Sequence, residues 1–159
     1  MKRAFYEIAR WAVLAVAVIS LLVMFGGDTV SNADPAEVEE AVGSQIDMTN
    51  MLQGDNKMIK RFYGLDPSAY ESCILYYPNT NMMAEEILIV KLKDTAQQQA
   101  VTDAVQARLD TQKNTFEGYG VEQFEMLSSN AVVEVRGNYV LLVVNPASAA
   151  ALTAFLGAI

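Results

Sequence analysis

Three kinds of side chain in this sequence could carry chemistry, and their spacing limits how far each can go. The first kind is paired carboxylates, Glu39-Glu40 and Glu85-Glu86. Two carboxylates sharing a site can divide general-acid and general-base work. Sequence neighbours point in different directions, however, so neither pair is a ready dyad and both read as solvated charged faces. The second kind is nucleophiles: Ser128, Ser129, Ser148 and Cys73. Each would need an adjacent base, and the chain has no histidine. The serines lie in no Gly-x-Ser-x-Gly context. Cys73 sits in a strand pattern, where a thiol behaves as a small buried apolar group. The third kind is oxygen ligands. Asp47, Asn50 and Asp55 suit calcium in type, but their spacing matches no EF-hand loop. Without histidine, and with a single cysteine, nitrogen and thiolate metal sites are excluded. Neither a phosphate-binding Gly-rich loop nor a basic–aromatic patch is present. The sequence nominates no catalytic residue, no metal ligand and no cofactor.

What it does nominate is a surface. Residues 131–145 (AVVEVRGNYVLLVVN) place two β-branched runs around Gly137-Asn138, a spacer that closes a tight hairpin. Arg136 then faces Tyr139, Glu134 faces Leu141, and Val132 faces Val143. The opposite side of the hairpin carries Ala131, Val133, Val135, Val140, Leu142 and Val144, all apolar, so that side meets the core. Tyr139, Leu141 and Val143 are left as an apolar strip on the other side. They are the candidate partner surface, provided that residues 121–130 or the N-terminal helices do not pack over them.

The elements around this hairpin follow from caps and periodicity. Asp34-Pro35-Ala36-Glu37 predicts a helix start with a capping box, and Gly43 its end. Residues 46–53 read as irregular. Asp55 caps a second short helix carrying Met58, Ile59 and Phe62, stopped by Gly64. Asp66-Pro67 opens a turn before a strand at 70–77. A second strand covers 86–93, with Leu88, Val90 and Leu92 inward and Lys91 and Lys93 outward. Asp94 caps a long helix over 95–117, whose stripe is Val101, Val105, Leu109 and Phe116. Gln112 falls on that stripe and reads as a core-edge amide. Residues 121–130 are poorly patterned, and Asn145-Pro146 starts a last helix with Leu152, Phe155, Leu156 and Ile159. The expected fold is α+β: an antiparallel sheet of about four strands, strand-strand-helix repeated twice, packed by two helices. Short helices and an N-terminal membrane helix precede it.

That membrane helix is read from residues 11–27, an uncharged run of seventeen following Lys2, Arg3 and Arg10. This is the lower limit for a membrane span and slightly long for a signal-peptide core. The basic flank keeps residues 1–10 in the cytoplasm, with 28–33 as a tether and 34–159 outside. If the segment is cut at Ser31-Asn32-Ala33 instead, the domain is secreted. The chain carries a net charge of −8, and removing residues 1–33 takes away a net +1. An acidic domain of that kind excludes a nucleic-acid footprint.

Tyr63-Gly64-Leu65-Asp66, residues 109–119 (LDTQKNTFEGY) and residues 137–144 (GNYVLLVV) together resemble a bacterial, clostridial-type family of extracytoplasmic domains of unknown function. The resemblance runs from Asp34 to the C-terminus. It implies a shared fold and a location outside the membrane, and brings no reaction with it. Members often look like lipoproteins; this chain lacks the lipid-bearing cysteine, so anchoring falls to residues 11–27. The function expected from the whole is a non-catalytic, membrane-anchored interaction or accessory domain. Its partner would be an envelope protein or a second copy of the chain. The alternative is a small envelope hydrolase or glycan-acting enzyme using Asp/Glu.

Overall fold

The computed structural model describes residues 30–159. The expected membrane segment, residues 11–27, lies outside the described residues. In chain order the elements are α1 (Pro35–Gly43), β1 (Met51–Gln53), α2 (Asn56–Tyr63), β2 (Ser72–Pro78), β3 (Glu86–Lys91), α3 (Gln98–Phe116), α4 (Val121–Ser129), β4 (Ala131–Arg136), β5 (Tyr139–Val144) and α5 (Ser148–Ala158). Short 3-10 turns occur at Pro67–Ala69 and Thr95–Gln97.

Capping side chains set most helix starts. Asp34 accepts from the Ala36 amide and Asp55 from the Met58 amide. Asp94 and Gln97 form a reciprocal capping box at the 3-10 turn that leads into α3. The box expected at Glu37 does not form; Pro35 in the first turn and the Asp34 bond start α1 without it. Gly64 ends α2 at φ 68°, a left-handed value that favours glycine. The last helix starts at Ser148, later than expected, because the Asn145 side chain spends its oxygen on the Ala147 amide in a turn.

The strands form one antiparallel sheet of five, in the order β1-β2-β3-β5-β4. The hairpin has the predicted register, with Arg136 opposite Tyr139, Glu134 opposite Leu141 and Val132 opposite Val143. Two corrections concern elements with weak patterns. Residues 51–53 are a strand, β1, paired along β2 from Met51–Pro78 to Gln53–Tyr76. Three residues are too few to display an alternation. Residues 121–129 are a helix, but only Leu127 is fully buried on it and no side chain caps it, so no stripe marks it in the sequence.

Helices cover both faces of the sheet. On one face Leu75, Leu88, Val90, Val140, Leu142 and Val144 pack with Ile59 and Tyr63 of α2, with Val101, Val105, Leu109 and Phe116 of α3, and with Leu127 of α4. On the other, Ile87, Ile89, Tyr139, Leu141 and Val143 pack with Val38 and Val42 of α1 and with Ala151 and Phe155 of α5. The two short helices expected before the sheet thus join the two expected to pack it, α4 is added to them, and the five cover both faces. Every residue of β3 and β5 is buried, and a strand buried on both sides reads as a continuous apolar run.

The partner strip is corrected by the same fact. Tyr139, Leu141 and Val143 are each 0 % exposed, and the Tyr139 ring meets Phe155 edge-on at 6.2 Å. They form the second core. Lys91, expected to face outward, is buried on that same face. Its ammonium pairs with Glu71 at 2.8 Å and donates to the Ala33 carbonyl at 3.0 Å. The Tyr139 hydroxyl donates to the same carbonyl at 2.8 Å. Beside them the Asn138 side chain accepts from the Ser31 amide at 2.8 Å and donates to the Ser31 carbonyl at 3.1 Å. Residues 31–33, read as part of a free tether, are thus clamped to the start of β5.

Candidate functional site

At the opposite end of β3 from that clamp, alternation turns Glu86 to the same face as Leu88 and Val90. Its side chain is only 2 % exposed. A buried carboxylate is costly unless paired, and two helices supply the partners. Arg108 of α3 grips it with Nη2 at 2.7 Å from Oε2 and Nε at 3.1 and 3.2 Å from the two oxygens. Tyr63, the last residue of α2, donates its hydroxyl to Oε1. Burial first, and the Glu86 charge second, push the Tyr63 phenol well above its ordinary value, so it stays a donor.

The Arg108 guanidinium also lies over the Phe62 ring, 4.1 Å from its centre, an attractive cation–π placement. Phe62 in turn meets Tyr77 edge-on at 5.4 Å. The Glu86 edge and the Phe62 face fix the guanidinium in one orientation. Among the described residues every buried side-chain nitrogen and oxygen has a hydrogen-bond partner, so the buried atoms of this network are all satisfied.

Above it opens a cleft of about 350 Å³, in the range of small-ligand sites. Leu52, Met58, Phe62, Tyr77, Met83 and Phe116 give it apolar walls, and Arg61, Arg108, Asn79, Asn81 and Gln112 give it polar groups. No Asp or Glu lines it. Gln112, read from the sequence as a core-edge amide, is one of its lining residues.

Glu86 and Arg108 were both legible in part. Arg108 lies seven residues after Val101 and four before Gln112, squarely on the apolar stripe of α3. Glu86 shares the parity of Leu88, Val90 and Leu92. The reading of Glu85-Glu86 as a solvated pair fails for Glu86. Glu85 is half-buried; burial and then the Asp47 charge raise its carboxyl. Asp47 itself is fully exposed and held low by the Thr49 hydroxyl and amide. Glu39 accepts from the Tyr76 hydroxyl at 2.5 Å. Burial pushes the Cys73 thiol up to about 11, and the Ser128 hydroxyl donates to the Phe124 carbonyl. Among the described residues no group of three or more His, Cys, Asp or Glu is placed to hold a metal ion.

A family model described as a domain of unknown function, DUF4358, matches residues 44–145. The chain belongs to this family. No curated protein and no solved structure matches the chain. The DUF4358 match spans all five strands and α2, α3 and α4, and with them every residue lining the cleft. The α1 and α5 layer lies outside it.

Proposed function

We propose that this chain is a non-catalytic binding domain of a bacterial envelope, displayed outside the membrane by residues 11–27, whose working element is the cleft over Arg108. Among the described residues no helix is long and apolar enough to cross a membrane, so anchoring rests on that N-terminal run and its basic flank. The observation that carries the reading is the position of the cleft. It opens at the Glu86 end of the sheet, while the chain enters at the other end, where Lys91, Asn138 and Tyr139 hold residues 31–33. Six residues of β3 separate the two ends by about 17 Å. The four steps from Gly27 to Ser31 reach at most about 14 Å. A short entry clamped to one end holds that end near the bilayer and turns the cleft toward what lies beyond it.

The experiment is photocrosslinking in intact cells from a photoreactive residue at Met83 of the full chain. A discrete adduct that disappears when Thr115→Trp fills the cleft mouth supports the reading. Adducts unaffected by Thr115→Trp contradict it.

The hydrolase alternative has one observation in its favour, the raised carboxyl of Glu85 beside Asp47. If that pair is catalytic, Glu85→Gln abolishes turnover of an envelope glycan. On the binding reading, Glu85→Gln leaves the Met83 adduct unchanged.

A further inference from the structure

Resting on the reading of the cleft as a binding site, we infer that its ligand is a small amphipathic carboxylate, held through its anionic end by Arg61 and Arg108. Nη1 of Arg108 makes no bond to the protein among the described residues. Since no buried side-chain nitrogen lacks a partner, Nη1 keeps access to solvent, and Arg108 lines the cleft. Arg61 on α2 is exposed, lines the same cleft and has no ion pair among the described residues. These two guanidinium groups meet no acidic lining residue, in a chain with a net charge of −8. The cleft is therefore a local cationic site on an acidic protein, and planar guanidinium groups match carboxylates in geometry.

The charge balance selects among anions. Glu86 already neutralises Arg108 in its bidentate pair, so one uncompensated positive charge, that of Arg61, remains in the lining. That suits a monoanion. A phosphate dianion would be left half-neutralised beside an acidic domain. The remaining walls are Phe62, Tyr77, Met58 and Met83, which reward an apolar or aromatic body next to the carboxylate, with the methionines adapting to its shape. Asn79 and Asn81 at the margin offer amide contacts. A volume of about 350 Å³ takes a group the size of one or two amino-acid residues. A free acylated amino acid and the C-terminal residue of a peptide share this chemistry.

The test is titration calorimetry on the full chain in lipid nanodiscs, with N-acetyl-phenylalanine and its carboxamide as probes. The acid is expected to bind at least ~10-fold tighter than the amide, since a charged hydrogen-bonded contact replaces a neutral one. Arg61→Gln, an exposed change that leaves the core alone, should lower affinity for the acid about 10-fold, and Thr115→Trp should abolish it. A second arm compares the acid with a tetrapeptide ending in the same residue. A peptide bound at least ~10-fold tighter points to peptide C-termini as the source, and equal affinity points to the free acid. Acid and amide binding equally, both lost in Thr115→Trp, overturns the carboxylate assignment and leaves the cleft standing. Absence of binding by either probe overturns the assignment as well. Binding of the acid that survives both Arg61→Gln and Thr115→Trp overturns the assignment and the cleft together.

Discussion

Replacing Glu86 by Leu preserves bulk and removes both oxygens that Tyr63 and Arg108 use. The Arg108 side chain is 13 % exposed, so its charge is left against the Phe62 ring with little water and no anion. Breaking a buried pair from one side costs about 3–5 kcal/mol. The slight exposure of Arg108 places Glu86→Leu near the lower end, at about 3 kcal/mol. Arg108→Met leaves the more deeply buried carboxylate with one hydroxyl donor, and should cost about 4 kcal/mol. Removing both charges together, with Tyr63→Phe to avoid an orphaned hydroxyl, leaves an apolar patch of similar volume. Such replacements are often close to neutral, and the triple variant should cost about 1–2 kcal/mol. The single costs therefore fail to add by at least ~3 kcal/mol, which is the signature of direct coupling. Urea unfolding of the full chain in detergent micelles, followed by near-ultraviolet circular dichroism of the tyrosines, measures each cost. Single costs below about 1 kcal/mol, or costs that add, would refute the argument that this network is a buried, mutually dependent unit.

Three further outcomes follow from the same structure. Leu141→Lys puts a charge where no surface is exposed and should cost at least ~4 kcal/mol, lost burial plus a buried ammonium; a change within about 0.5 kcal/mol in the same unfolding assay would mean that α1 and α5 do not cover the sheet. Asn138→Ala removes both bonds to Ser31 and should cost about 1–2 kcal/mol while releasing the amides of residues 31–33 to fast hydrogen exchange; unchanged exchange there would disprove the clamp. Cys73, with its thiol at about 11, should react with iodoacetamide at pH 8 about 200-fold more slowly than a free thiol, the rate still climbing steeply between about pH 9.5 and 10.5 as thiolate forms. A rate that levels off by about pH 10 would show an ordinary thiol.

How much of this was legible depends on the strength of each local signal. The caps at Asp34, Asp55 and Asp94, the stop at Gly64 and the register around Gly137-Asn138 are short-range features, and they stand where the sequence puts them. The pattern of the hairpin alone makes Tyr139, Leu141 and Val143 one side of a half-exposed ribbon, and the structure buries them. Their run with Val140, Leu142 and Val144 is unbroken, as is ILIV in β3, and unbroken runs belong to strands covered on both faces. β1 and α4 carry too few buried residues to leave a pattern. The cleft was out of reach for a different reason. Glu86, Arg108 and Tyr63 come from three elements, and only the packing of α2 and α3 on one sheet face brings them together. Arg108 on an apolar stripe and Glu86 at an inward parity are polar residues at core positions. Each such residue implies a buried partner, and matching the two would have pointed to this pair.

On the proposed reading the cleft belongs to a membrane-tethered domain and faces away from the bilayer. Lipid quenching of the full chain in nanodiscs reads this orientation. With Cys73→Ser as background, a fluorophore is attached at Thr95→Cys, beside the clamped entry, or at Asn81→Cys, on the cleft margin. Strong quenching by quencher-bearing lipids is expected at position 95 and little at position 81, about 17 Å or more farther out. Equal quenching at the two positions, or none at either, would contradict it.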